Sequence, residues 1–312
     1  MDNILYAYLE TTNHCNLSCS FCNRKDVIGA LNHMPIDKWV SFLEKIKDQP
    51  LKECKLMGMG EPFLHPQFDI ITGTFKKYFP NTKVIVATNC QYNIKDGSSM
   101  RKKLENALEH IDLLYLSIDG YEDNYERDRS PAKWSKLIDF LNNFKNIDKK
   151  NCTVAINYVV NRNNLHDIEK IRSFVDEYNL HEFRLNIAQD WSEDKTITSS
   201  DKTWGYSEDE LDYLKTFNEY IKGKSPWTWS DCFWPKNGLY TTVSGDIKMC
   251  CLNTGAKSLG NIFTDDLNDV RSSEAYQKIA NGCSSNNPEK HCVNCSYKEL
   301  SPMLEHLNVD NK

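Results

Sequence analysis

The stretch "TTNHCNLSCSFCNR", Thr11 to Arg24, places Cys15, Cys19 and Cys22 in the spacing Cys-x3-Cys-x2-Cys. Cysteine thiolates hold iron–sulfur clusters, and a cubane with three protein ligands leaves one iron open to a substrate or cofactor. A zinc loop is the competing chemistry, although structural zinc prefers four closed ligands. Six further cysteines lie between residues 232 and 295, so nine of the twelve fall in two groups. That clustering argues for metal ligation rather than a disulfide framework.

Such loops need a scaffold. From residue 3 to about 187, short apolar runs alternate with amphipathic segments. Strands are expected near 4–10, 52–57, 83–87, 112–118, 152–159 and 182–187, from their β-branched, aromatic and leucine content. Helices fit near 37–47, 67–79, 99–109, 134–145 and 164–178, where apolar residues recur every three or four positions. Pro35-Ile36-Asp37 marks the start of the first helix and Asn163-Asn164 that of the last. Six strands alternating with five helices predict an α/β fold with parallel pairing, an open or partial (β/α)6 TIM-like barrel. Its chemistry belongs at the C-terminal strand ends, where the cysteine triplet falls.

Residues 188–231 turn polar and read as a connector with one helix near 207–222, leading into a small C-terminal domain at 232–312. At 312 residues, 26% charged, 40% apolar and net charge -6, the chain carries no mark of disorder or of a nucleic-acid partner. The N-terminus "MDNILYAYLE" has an acidic residue and no basic run before an apolar core, so neither a signal peptide nor a membrane segment is expected, which predicts a cytoplasmic protein.

Cys-x3-Cys-x2-Cys with an aromatic, Phe21, before the third cysteine resembles the signature of the radical S-adenosylmethionine (SAM) superfamily. The resemblance implies a [4Fe–4S] cluster on Cys15, Cys19 and Cys22 whose open iron is chelated by SAM. It also implies reductive cleavage of SAM to a 5′-deoxyadenosyl radical that abstracts hydrogen from substrate. Gly58-Met59-Gly60-Glu61-Pro62 resembles the superfamily's Gly-Gly-Glu-Pro element at the SAM ammonium; the other reading is a plain βα turn. Asn89 in "IVATNC" keeps a familiar place, while Cys90 replaces a usual glycine.

In "DLLYLSIDG", alternation sets Tyr115, Ser117 and Asp119 opposite Leu114, Leu116 and Ile118. The family uses this serine and aspartate near SAM; a turn at Asp119-Gly120 is the simpler reading. Asn157, on the fifth strand, is a further candidate for binding SAM. Arg184 and Asn186 alternate with Phe183 and Leu185 on the sixth, and an inward Arg184 requires a partner. It contacts SAM or substrate, or forms a salt bridge at the sheet edge.

Cys232-x12-Gly245-x4-Cys250 followed by Cys292-x2-Cys295 resembles the SPASM module in its short twitch form. The resemblance implies a hairpin at Gly245 that joins Cys232 to Cys250, with Cys292 and Cys295 completing an auxiliary [4Fe–4S] site for electron relay. A structural zinc uses the same pattern. Cys251 is an alternative ligand, a hydrogen donor to a substrate radical, or an inert buried thiol, and Cys283 has no assigned partner.

The cysteine pattern resembles that of the 2-deoxy-scyllo-inosamine dehydrogenase-like enzymes. The expected activity is therefore oxidation or epimerisation of a polar small molecule such as a sugar or aminocyclitol, with a flavodoxin- or ferredoxin-type reductant. The alternative is maturation of a ribosomally made peptide or protein side chain. A precursor peptide would then need a separate recognition protein or a site in 188–231.

Overall fold

The computed structural model describes residues 3–187, 207–217, 232–251 and 256–293. Strands β1 (Tyr6–Leu9), β2 (Glu53–Lys55), β3 (Lys83–Thr88), β4 (Leu113–Ser117), β5 (Thr153–Val160) and β6 (Glu182–Ile187) pair in parallel, each beside its predecessor. Between them run α1 (Arg24–Val27) and α2 (Ile36–Ile46), α3 (Phe68–Tyr78), α4 (Ser99–Leu108), α5 (Asp123–Asp128) and α6 (Trp134–Phe144), then α7 (Ile168–Arg172) and α8 (Phe174–Glu177). This is the expected partial (β/α)6 barrel.

The sheet's two faces are filled differently. Ala7, Leu9, Val84, Val86, Leu114, Leu116, Val154 and Ile156 join Trp39, Phe42, Phe75 and Phe140 in one main core. The opposite face holds a small cluster of Ile85, Leu113 and Ala155, flanked by Met57 and Tyr115. Beyond it that face becomes polar toward the strand C-termini. The large apolar side chains therefore lie under the helices, and burial of that face supplies most of the driving force for folding.

Two expectations need correction. The helix near 164–178 is broken into a 3-10 turn (Leu165–Asp167), α7 and α8. At the α7–α8 junction the Ser173 hydroxyl donates to the Lys170 carbonyl at 2.7 Å, a local bond that competes with regular helix. Asn164 does not cap this segment. Its side-chain NH2 donates to the Asp119 and Val159 carbonyls, and its oxygen accepts from Asn161 N–H, tying β5 to the end of β4.

After α9 (Glu208–Lys215), closed by a Ser207/Glu210 capping box, the chain continues as α10 (Trp234–Asn237), β7 (Gly238–Thr241), β8 (Asp246–Lys248), β9 (Gly260–Asn261), α11 (Leu267–Ser272), α12 (Glu274–Ser284) and α13 (Lys290–Val293). Strand β7 pairs in parallel with β1, Tyr8 opposite Tyr240, and β8 and β9 follow antiparallel. One hydrogen-bonded sheet thus runs from the barrel strands into the C-terminal segment. Lys45 on α2 also donates to the Ile262 and Asp265 carbonyls. No helix among the described residues is long and apolar enough to cross a membrane.

Candidate active site

The loop after β1 is fixed mainly by backbone. Ser18 N–H donates to Ser130 O at 2.6 Å, and Ser20 N–H to Asp128 O at 2.9 Å. The Arg24 guanidinium donates twice to Asn13 O, and Asn13 holds the 30–32 turn through Ala30 and Asn32. Cys15 and Cys19 are half-buried and Cys22 is exposed. Burial raises the Cys15 thiol and pushes Cys19 up to about 11, while the Arg129 charge pulls Cys19 back down. Cys15 feels Cys22, and Cys19 feels both Cys22 and Cys15, so the three share one neighbourhood.

The donor set suits an anionic cluster. Leu17 N–H donates to Cys15 Sγ at 3.4 Å, and Asn89 Nδ2 reaches the same sulfur at 3.8 Å while also donating to Asn16 Oδ1. N–H groups aimed at sulfur stabilise thiolate over thiol. Among the described residues no three His, Cys, Asp or Glu side chains close around a single small ion.

Residue Arg129 escaped the sequence reading. Its guanidinium is buried 5.5 Å from the Phe21 ring centroid and pairs with Asp119, whose Oδ2 accepts from Nε at 2.6 Å. Asp119 Oδ1 accepts from Val159 N–H at 2.7 Å, so both its oxygens have internal partners. Asp119 thus holds Arg129 beside the cysteine loop. Nothing in the apolar periodicity of "YERDRS" distinguishes Arg129 from its charged neighbours.

The glycine-rich loop after β2 lies on the cysteine loop. A Cβ at Gly60 would fall 2.3 Å from Thr12 O and 2.8 Å from His14 O, and Glu61 N–H donates to His14 O. Only glycine permits that approach. The buried Glu61 carboxylate accepts from Thr88 Oγ1 and Phe63 N–H at one oxygen and from Asn89 N–H at the other. Glu61 therefore ties this loop to the end of β3, and so to Asn89.

Burial pushes Glu61 up to about 7 against these three donors. A raised folded-state value means that its contribution is full below the unfolded value and is lost as pH rises through about 7. In the cluster-free chain, Glu61 should lower unfolding free energy by up to about 3 kcal/mol between pH 5 and pH 8. Urea unfolding should show Glu61→Gln with a flatter pH profile than wild type; parallel profiles would contradict this.

Further along the strand ends, Ser117 and Asn157 sit opposite one another on β4 and β5, and Asn157 opposite Arg184. Asn186 Nδ2 donates to Asn157 Oδ1 at 2.6 Å. Arg184 has the partner it requires: Nε donates to Glu182 Oε2 and Nη1 to the Tyr115 hydroxyl, at 2.6 and 2.7 Å. Ser117, Asn157, Asn186, Arg184 and Tyr115 thus form one polar row on the inner face.

The second cysteine group gathers around aromatic rings. Gly245, at φ +87°, turns β7 into β8. Cys232 and Cys250 both pack against a buried cluster of Tyr6, Phe233, Trp234, Tyr240 and Cys251. Trp234 Nε1 is buried with no hydrogen-bond partner among the described residues, an orphan donor that suits a sulfur acceptor at this place. Cys292 stands half-buried on α13 and Cys283 buried on α12. Cys295 lies outside the described residues. Tyr8, 5.6 Å from Tyr240 by ring centroids, feels both Cys22 and Cys251 and so lies near both cysteine groups.

Residues 9–175, more than half the chain, match the sequence profile of the radical SAM superfamily. The chain belongs to this superfamily. Residues 232–296 match SPASM, an iron–sulfur cluster-binding domain. The protein is thus a radical SAM enzyme whose cofactors are SAM, the SAM-binding [4Fe–4S] cluster and an auxiliary cluster.

Among curated relatives, the antilisterial bacteriocin subtilosin biosynthesis protein AlbA of Bacillus subtilis strain 168 is 22% identical over 282 residues, 88% of this chain and 61% of AlbA. The chain therefore spans less than two thirds of that relative. Among solved structures, Streptococcus suis SuiB bound to its precursor peptide SuiA superposes with a TM-score of 0.67 at 18% identity, covering 96% of this chain and 71% of SuiB. BtrN in complex with AdoMet and 2-DOIA gives 0.57 at 15% identity, covering 95% and 94%. At these identities the structural likeness concerns the fold.

Proposed function

We propose that this radical SAM enzyme is a maturase that modifies a ribosomally made peptide or a protein side chain by epimerisation, crosslinking or oxidation. The observation that carries this reading is the match to AlbA, a bacteriocin biosynthesis protein, over 88% of the chain. The fold shared with peptide-bound SuiB supports it. This reverses the order of the two expectations from sequence. A polar small molecule stays as the second reading, favoured by the near full-length correspondence with BtrN.

In this reading Cys15, Cys19 and Cys22 hold the SAM-binding cluster, and Cys232, Cys250, Cys292 and Cys295 hold the auxiliary one. Together with SAM the first cluster supplies a hydrogen-abstracting radical. The chain's own residues position the reactants. Asn89 orients Cys15 and Asn16; Phe21, Arg129 and Asp119 form the wall beside Cys19; Gly58, Met59, Gly60 and Glu61 shape the SAM loop. Ser117 and Asn157 offer hydroxyl and amide groups to SAM, and Asn186 and Arg184 offer amide and guanidinium groups to a polar substrate, of which a peptide backbone is one.

Cys251, buried beside Cys250, is in this reading the hydrogen donor to the substrate radical, with ligation in place of Cys250 as its other role. We also propose the division into a core at 1–187, a connector at 188–231 and an auxiliary-cluster domain at 232–312, with a flavodoxin- or ferredoxin-type reductant.

The test uses reconstituted enzyme, SAM and dithionite with deuterated peptides encoded beside its gene. Deuterium appearing in 5′-deoxyadenosine is expected from a peptide. Transfer from a deuterated aminocyclitol and from no peptide would overturn the reading.

A further inference from the structure

Glu10 follows β1 directly and is buried, yet it belongs to neither cysteine group. Its Oε1 accepts from Met59 N–H at 2.6 Å, in the glycine-rich loop. Its Oε2 accepts from Val243 N–H at 2.9 Å, in the turn of the hairpin that carries Cys250. The two donors are 49 and 233 residues away in sequence. Glu10 N–H also donates to Thr241 O, which locks its backbone to β7.

The loop is built around this side chain. A Cβ on Gly58 would lie 2.5 Å from Glu10 Cγ and Oε1. Burying a carboxylate is costly unless both oxygens are satisfied, and here each oxygen is bound to a different segment. A glutamine has one acceptor oxygen and would turn an NH2 group toward the other N–H, so it cannot hold both ends.

We propose that Glu10 is a positioning residue coupling the auxiliary-cluster hairpin to the SAM loop. An ordered hairpin fixes Val243, the carboxylate transmits that position to Met59, and the Gly58–Glu61 loop is held in the form that receives SAM. Occupancy of the auxiliary site should then raise SAM affinity, and SAM should reciprocally favour the seated hairpin. The proposal rests on the assignment of Cys232 and Cys250 as auxiliary ligands.

The test is a double-mutant cycle read by SAM dissociation constants from anaerobic calorimetry on reconstituted protein, not by turnover. Cys232→Ala/Cys250→Ala should weaken SAM binding by about five-fold or more in the wild-type background. In the Glu10→Gln background the same change should have a factor near one. Gly58→Ala, which displaces the carboxylate, should collapse the factor in the same way and serves if Glu10→Gln does not fold.

An unchanged factor in these backgrounds, or a factor of one in wild type, would overturn the coupling. Retention of the auxiliary signal in Cys232→Ala/Cys250→Ala would overturn the ligand assignment and the proposal with it. Weaker SAM binding in Glu10→Gln with the factor intact would mean a role confined to the SAM loop.

Discussion

Cys15→Ala is expected to lose SAM-dependent release of 5′-deoxyadenosine by at least about 100-fold, the upper end of what removing an outer partner of a metal ligand costs. Cys15 is the thiol on which Leu17 and Asn89 converge, and its loss leaves two ligands on the loop. The auxiliary signal should persist, because Cys232 and Cys250 sit on the separate cluster around Tyr240 and Trp234. Cys54→Ala is the control. That cysteine is buried in the main core on β2, so its loss should cost stability and leave the response to SAM in place. Equal losses in both variants would contradict the assignment.

Asp119→Asn is expected to lower the unfolding free energy by about 3–5 kcal/mol, the usual cost of stripping one partner from a buried ion pair. Asp119 is fully buried, and the neighbouring Arg129 is also buried, stacked near Phe21. The substitution strands a guanidinium and misplaces the wall beside Cys19. Asp119→Asn/Arg129→Met removes both charges and should recover part of the stability without recovering SAM binding. Denaturant unfolding and SAM calorimetry on the same proteins separate the two effects. A single variant as stable as wild type would remove Asp119 from this role.

Legibility in the sequence followed the range of the physics involved. In β4 the alternation of "LLYLSID" is set by burial of one face, and Leu114, Leu116 and Ile118 do enter the main core while Tyr115 faces the polar row. Arg184 announced its need for a partner because it interrupts an apolar strand. The turn at Gly245 was readable from one residue able to take positive φ.

What stayed hidden depends on partners distant in sequence. Glu10 in "YLETT" looks like a surface acid until Met59 and Val243 close on it. Arg129 looks like one charge among several in "YERDRS" until Asp119 and Phe21 surround it. The pairing of β7 with β1 joins segments more than 230 residues apart, and a four-residue strand carries no periodicity that names its neighbour. The break at Ser173 was invisible for the opposite reason: one hydroxyl overrode an apolar pattern that still read as helix.

The most direct test of the account is low-temperature electron paramagnetic resonance of the dithionite-reduced, two-cluster protein before and after addition of SAM. The account predicts two signals, of which the one lost in Cys15→Ala changes on SAM addition while the one lost in Cys232→Ala/Cys250→Ala keeps its own form. Two signals indifferent to SAM, or a SAM response that survives in Cys15→Ala, would contradict it.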